Sequence, residues 1–340
     1  MTLTVINRIR KATSIVRDHA RALFPDLRLL QQLDRGYAVG IEVSNICNAN
    51  CVFCAYQYQE RPKQFMSDEL FQMCLDQFVE LGGGVTSLGS LVGDPLLDPQ
   101  YAERVRMARA RPEITGVSAT TNVIHLDKVG AKNLLQSGIT HITVSTTGFD
   151  EEMYSRIFRT RNYERMKANL LELLRVNAEL GHPARIEVGL RIDRPLSDLM
   201  NDPDFSEVVR LADVVSSSAY YDNWSGRIET ADLSGTMRIR PNLYKFVKRR
   251  LPCAQLWIGT LILVDGTVTA CGCRDLNGDS ELVLGNIKET PLGEMLRSEY
   301  FHKLQSDWLS GKLPSICVDC RHYRPYTSVT HAEYEHGDLN

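Results

Sequence analysis

From residue 38 onward the chain alternates two apolar periodicities, and few folds accept that alternation. Short apolar runs with strand character occur at Ala38–Ser44, Val85–Ser90, Gly116–Thr120, Thr140–Ser145, Ile186–Arg191 and Val214–Ser218. Between them, helical patterns cover Ser67–Leu81 with Ser67 as N-cap, Tyr101–Arg111, Lys128–Gln136, Tyr163–Leu180 and Phe205–Ala212. Repeated βα units with short loops force right-handed crossovers, hence a parallel sheet with helices packed on it. Six units are too few to close an eight-stranded barrel, so the expected α/β fold is an open (β/α)6 partial TIM barrel. Ligands of parallel α/β folds sit at the carboxyl ends of the strands.

The flanking segments divide the rest. Residues 1–36 carry five Lys or Arg against one acidic residue between Arg8 and Arg21. They read as a helical extension beside the barrel with its Arg face in water; a membrane-surface helix and a transit peptide are the alternatives. After the barrel (37–220), residues 221–252 lose periodicity and read as a connecting segment that closes over the cleft. Trp257–Val264, an Asp265-Gly266 turn and Thr267–Cys271 then predict a β-hairpin. A helix over Leu292–Leu309 follows, and Cys317-Val318-Asp319-Cys320 closes a small hairpin and helix domain spanning 253–325, ahead of a tail at 326–340.

Composition narrows the chemistry. A net charge of -3 without a basic stripe gives no reason to expect nucleic acid. No apolar run reaches the roughly 18 residues of a membrane span. No signal-peptide pattern is visible, so the expected compartment is the reducing cytoplasm, where nine cysteines argue for metal ligation over disulfides. Eight of the nine form two groups, one near residue 50 and one between 253 and 320; Cys74 stands apart in a helical pattern.

The first group follows the first strand: Cys47-x3-Cys51-x2-Cys54, with Phe53 before the last cysteine. Three thiolates on one tight loop can hold three irons of a [4Fe–4S] cube and leave the fourth open to a ligand. Zinc would require a fourth ligand close by, and no His or Cys follows until Cys74. The spacing and its strand context resemble the radical S-adenosylmethionine (AdoMet) family. In that family the open iron chelates the amino and carboxylate groups of AdoMet, and one electron from the cluster cleaves the sulfonium to a 5′-deoxyadenosyl radical. The resemblance runs on in order through much of the chain. The stretches Gly83–Leu88 and Gly93-Asp94-Pro95-Leu96-Leu97 match the region that binds the AdoMet amino group, with Asp94 where Glu is usual. Thr120-Thr121-Asn122 matches a Thr-Asn-Gly segment, with Val123 in place of the Gly. Ser145, ending the fourth strand, matches a residue that meets the AdoMet carboxylate or ribose. After the fifth strand come Arg191, Asp193 and Arg194, where one Arg suits a bidentate pair with the carboxylate; a surface Arg is the alternative. Tyr220 to Trp224, after the sixth strand, suit a hydroxylated ligand or an ordinary loop.

The second group, Cys253-x12-Gly266-x4-Cys271 and Cys317-x2-Cys320, resembles the SPASM/twitch extension of the same family in its shortened, one-cluster form. A four-cysteine zinc site is the alternative. Cys273 lies two residues past Cys271 on the same face of an extended strand, so only the family spacing favours Cys271 as the ligand. The layout is most similar to twitch enzymes of the 2-deoxy-scyllo-inosamine dehydrogenase type. The resemblance therefore implies two [4Fe–4S] clusters, AdoMet, and a one-electron donor such as flavodoxin or ferredoxin. It also implies a small hydroxylated substrate (sugar, cyclitol or nucleoside) oxidised with the auxiliary cluster as acceptor. Epimerisation is the alternative outcome, with Cys273 or Cys74 as hydrogen donor, and peptide modification is another. An iron–sulfur or zinc scaffold is the non-enzymatic alternative, and it leaves the AdoMet segments without purpose.

Overall fold

The computed structural model describes residues 38–199, 202–242, 253–272 and 274–323. Expectations for residues 1–36, for 243–252, for Cys273 and for the tail lie outside this description. Six parallel strands carry the barrel: β1 (Ala38–Glu42), β2 (Gly84–Gly89), β3 (Ile114–Thr121), β4 (His141–Thr146), β5 (Arg185–Leu190) and β6 (Val214–Ser217). They lie side by side in sequence order, as right-handed βα units require. The six expected barrel strands are present, with ends displaced by one or two residues.

Two short strands follow the barrel, β7 (Tyr220–Tyr221) and β8 (Arg238–Ile239), and the hairpin after them does not build a sheet of its own. β9 (Gly259–Ile262) runs parallel to β1, with Ala38 opposite Gly259 and Ile41 opposite Ile262. β10 (Thr267–Thr269) and β11 (Val283–Asn286) continue outward antiparallel, giving one nine-stranded sheet in the order β11-β10-β9-β1-β2-β3-β4-β5-β6. The C-terminal domain thus extends the barrel sheet on its β1 edge. Trp257 lies in a short helix, Ala254–Ile258, rather than in the strand expected there. The two-residue parallel pairing of β7 with β8 is the only sheet contact within the described part of the connecting segment.

Helices cover the sheet as their apolar spacing dictates. Helix Asp68–Glu80 starts where the Ser67 hydroxyl accepts the Leu70 N–H at 3.2 Å. It buries Leu70, Phe71, Cys74, Leu75 and Phe78, the i, i+1, i+4, i+5, i+8 set of one face. The helix expected over Lys128–Gln136 is two pieces, Leu126–Val129 and Ala131–Leu135, divided by Gly130 at φ +84°. Leu292–Leu309 is likewise broken, because the Ser298 hydroxyl caps a new helix, Glu299–Leu309, by accepting from Phe301 N–H. Helix Glu151–Phe158 has no counterpart in the sequence reading; Asp150 caps it through Met153 N–H.

Candidate active site

The cysteine loop leaves β1 and is folded onto itself before any ligand is considered. The Asn45 side chain donates to Pro62 O at 2.8 Å and accepts from Gln64 N–H at 2.8 Å, so both of its polar ends are fixed. Asn50 N–H donates to Phe158 O and Val52 N–H to Ile157 O, fastening the loop to the carboxyl end of helix Glu151–Phe158. Those carbonyls are orphans of the helix end, and the loop satisfies them. The three thiols face one another closely enough to affect each other's ionisation. Burial pushes Cys47 up to about 12, with the Asp94 carboxylate acting in the same direction. Burial, then Cys54 and Cys47, hold Cys51 well above the ordinary thiol range, and burial raises Cys54 to about 11. Backbone N–H groups pull the other way on all three, and Arg191 and Arg274 add a weaker pull on Cys51 and Cys54 respectively.

Cys51 is buried and Cys47 and Cys54 half-buried; thiols crowded in this way stay protonated until a cation is placed among them, because a bound metal is the charge that converts thiol to thiolate. Three thiols on one tight loop are the donor set that can hold three irons of a [4Fe–4S] cube, so the residues fit an iron–sulfur cluster.

The residues expected to meet AdoMet form two pairs on either side of this loop. In the first, Asp94 is 2% exposed and its N–H donates to Ile46 O at 2.8 Å. Its carboxylate accepts from Leu96 N–H, from Asn122 N–H at 2.6 Å, and from the Thr121 hydroxyl, which is 3.0 Å from both oxygens. Three donors leave one acceptor position of about four unfilled. Burial raises this carboxyl to about 6 against the lowering effect of those same donors. Asn122 Nδ2 donates to Asn48 Oδ1 at 2.7 Å, joining the end of β3 to the cysteine loop. Asn169 holds the following turn by donating to Val123 O and Ile124 O, with Val123 at φ +54°. Gly93 has no room for a side chain: a Cβ there would stand 2.9 Å from Ile46 O. Gly83, by contrast, belongs to the tight turn at the opposite, amino end of β2, at φ +67°.

In the second pair Arg191 Nε donates to Ser145 Oγ at 3.3 Å, and its guanidinium lies 5.7 Å from the Phe53 ring centroid. Phe53 also stacks on Tyr221 at 5.3 Å and meets Phe158 edge-on at 5.6 Å. The two other groups after β5 are engaged elsewhere. Asp193 accepts from Arg156 and Ser234, and Arg194 pairs with Asp150 at 3.1 Å.

Residues 222–224 join the two cysteine groups, and nothing in their local sequence marks that role. Trp224 Nε1 donates to Phe53 O at 3.0 Å, inside the first cysteine motif. The Trp224 ring carries Arg274 at 4.3 Å, and Arg274 Nε pairs with Asp222 at 2.6 Å. Asn223 Nδ2 donates to Asp319 Oδ2 at 2.9 Å, between Cys317 and Cys320. Cys253, Cys271 and Cys317 gather on a second apolar nucleus that includes Trp257, Phe301, Trp308 and Tyr323. Cys320 lies one turn beyond Cys317, its N–H on Cys317 O at 3.2 Å. Cys74 is fully buried in the helix–sheet core, where burial pushes its thiol up to about 12 and Lys288 is the one charge acting on it.

The comparisons agree with this layout. The family model described as the Radical SAM superfamily matches residues 41–212, and the SPASM model, described as an iron–sulfur cluster-binding domain, matches 253–321. Among solved structures, BtrN in complex with AdoMet and 2-DOIA superposes with a TM-score of 0.53 at 14% identity, over 86% of this chain and 97% of that one. Streptococcus suis SuiB bound to precursor peptide SuiA gives 0.59 at 14% identity, over 88% and 78%. Native anSMEcpe with bound AdoMet gives 0.52 at 15% identity, over 80% and 84%. At such identities these likenesses speak for the fold. Chlorobaculum tepidum GTP 3′,8-cyclase is 30% identical over 136 residues, 40% of each chain, and the Lactiplantibacillus plantarum enzyme 29% identical over 132 residues. The chain thus spans about two-fifths of the length of these relatives. With the first family model covering more than half of its residues, the chain belongs to the radical SAM superfamily, whose members use a [4Fe–4S] cluster and AdoMet, and it carries a further iron–sulfur cluster-binding domain behind its barrel.

Proposed function

We propose that this chain oxidises a small hydroxylated substrate (a sugar, cyclitol or nucleoside). In this reading Cys47, Cys51 and Cys54 hold the AdoMet-binding cluster, and Cys253, Cys271, Cys317 and Cys320 the auxiliary one. When bound, the first cluster supplies the electron that cleaves AdoMet, and the resulting 5′-deoxyadenosyl radical takes hydrogen from an unactivated C–H. The chain's residues position the reactants. Asp94, with its unfilled acceptor site, receives the AdoMet ammonium, and Gly93 lets the backbone approach. Arg191, oriented by Ser145, pairs with the carboxylate, and Phe53 and Asn122 border the rest of the molecule. Oxidation of an alcohol carbon removes one hydrogen atom, one hydroxyl proton and one further electron.

The observation that carries this reading over epimerisation is the strap of residues 222–224. It links Phe53 of the first cysteine group to Asp319 of the second through two hydrogen bonds, so a cluster held by the second group would lie beside the first, as an acceptor of the last electron must. Epimerisation needs a thiol facing the substrate radical; of the two expected donors, Cys74 is closed within the helix–sheet core and Cys273 lies outside the described residues. Anaerobically reconstituted protein with dithionite should convert AdoMet to 5′-deoxyadenosine, and Cys51→Ala should not. With a polyol or aminocyclitol panel in D2O, the expected product is a ketone two hydrogens short of its substrate. A product at the substrate's oxidation level with deuterium fixed on carbon would overturn the reading.

A further inference from the structure

Beside the cysteine loop, on the surface, lies a groove of about 440 Å³ formed by the Cys47–Asn50 stretch, Gln57, Gln59, Lys63 and Arg159. We propose that it is the docking surface for a small acidic one-electron carrier protein, which passes its electron inward at Cys47. The inference rests on the reading above that Cys47 ligates the reducible cluster.

Charge is the first argument. Lys63 and Arg159 are exposed, no carboxylate lines the groove, and among the described residues neither cation has an ion-pair partner. Lys63 Nζ rests 4.9 Å from the Tyr56 ring centroid, and Arg159 Nη1 reaches Gln57 Oε1 at 3.5 Å. Arg159 holds φ +51°, a left-handed conformation that a non-glycine residue adopts at some cost, at the end of the helix that carries the cysteine loop. Two cations placed over polar side chains suit an acidic face, and such complementarity governs encounter rate and orientation more than ultimate affinity.

Position is the second argument. Cys47 is the one member of its motif that lines the groove, so a carrier seated there is separated from the cluster by a single ligand residue. Gly93, Asp94, Asn122, Ser145 and Arg191 are all absent from the lining, so a docked protein does not compete with AdoMet for side chains. The transfer is balanced: one electron leaves the reduced carrier, one enters the cluster, and no bond is made or broken.

The test compares two ways of reducing the same enzyme. Flavodoxin is the probe, with binding measured directly on reconstituted protein by biolayer interferometry at low and high salt. AdoMet cleavage is then driven either by flavodoxin with its reductase or by dithionite. Wild-type binding should weaken steeply with salt. Lys63→Glu/Arg159→Glu should bind flavodoxin about tenfold or more weakly and lose a similar factor in flavodoxin-driven 5′-deoxyadenosine formation. Its dithionite-driven rate should stay at the wild-type level. Lys63→Gln/Arg159→Gln should fall between, and Arg210→Glu, a reversal on another face, should change nothing. Unchanged flavodoxin binding in the double reversal, or an equal loss under dithionite at unchanged iron content, would overturn the proposal. Absence of cleavage under dithionite in the wild type would instead count against the proposed function, while the binding arm still reads the docking surface.

Discussion

At the scale of single residues, Asp94 concentrates the site's electrostatics. Its carboxyl is raised to about 6 because burial outweighs three hydrogen-bond donors. The ionised form is therefore waiting for a cation that the free protein does not supply, and an ammonium in the unfilled acceptor position would meet that need. The sign follows directly: below about pH 6 the group is protonated and offers the ammonium no charge, whereas above it the carboxylate is formed. AdoMet affinity of the reconstituted, unreduced protein should accordingly rise between pH 5 and 7 and then level off. Asp94→Asn should bind about 10- to 100-fold more weakly at pH 7.5, the equivalent of a charge-assisted hydrogen bond of about 1.5–3 kcal/mol. It should also lose the pH dependence. Equilibrium dialysis across that range checks both, and a flat wild-type profile would remove Asp94 from the amino-group role.

At the scale of elements, the tie between barrel and C-terminal domain is a buried ion pair. Glu42, the last residue of β1, is fully buried and receives Arg61 in a two-pronged contact at 2.5 and 2.9 Å. It also accepts Leu91 N–H after β2 and Val264 N–H after β9, while Arg61 Nε donates to Leu276 O. One carboxylate thus holds the cysteine loop, the loop before Asp94 and the hairpin in a common register. Removing one partner strands the other charge, which typically costs about 3–5 kcal/mol. Arg61→Met should lower stability by that amount in anaerobic guanidinium unfolding. Glu42→Gln/Arg61→Met should cost less than the sum of the single changes, since neither charge is then left alone. Additive losses would show that the pair is not the unit of stabilisation.

None of this network is legible in sequence, because a Glu at a strand end and an Arg in a loop carry no mark of a shared partner. The βα alternation was legible since each strand and helix reports its own burial through a local period. Helix Glu151–Phe158 had a readable signal, the Asp150 cap, two acidic first-turn residues and buried Met153, Tyr154, Ile157 and Phe158. The break before Glu299–Leu309 was likewise announced by Ser298. At the site, motif spacing marked the cysteines and the carriers of the Asp94–Asn122 and Ser145–Arg191 pairs. Asn48, Arg274 and Asp319 escaped notice because their partners lie 74, 52 and 96 residues away in the chain.

At the scale of the whole molecule, the sheet places the second cysteine group on the edge where the first one begins. β9 pairs with β1, the strand that delivers Cys47, Cys51 and Cys54, and the strap of residues 222–224 closes across both groups. A C-terminal domain serving only to stabilise would need neither that adjacency nor the contact of Asn223 with the Cys317–Cys320 turn. If the domain takes the last electron of an alcohol oxidation, its loss should separate two events that are coupled in the intact protein. Two cubane clusters amount to about eight irons per chain, so Cys317→Ala/Cys320→Ala should retain about half of them. That variant should still produce 5′-deoxyadenosine from AdoMet, because Cys47, Cys51 and Cys54 are untouched. Hydrogen should still be taken from substrate, traceable as deuterium passing from labelled substrate into 5′-deoxyadenosine. Ketone formation should fall by at least about tenfold, leaving AdoMet consumption uncoupled from product. Ketone that keeps pace with 5′-deoxyadenosine in a variant holding half the iron would mean that the electron leaves by another route, and the second group would then be a structural element of the fold.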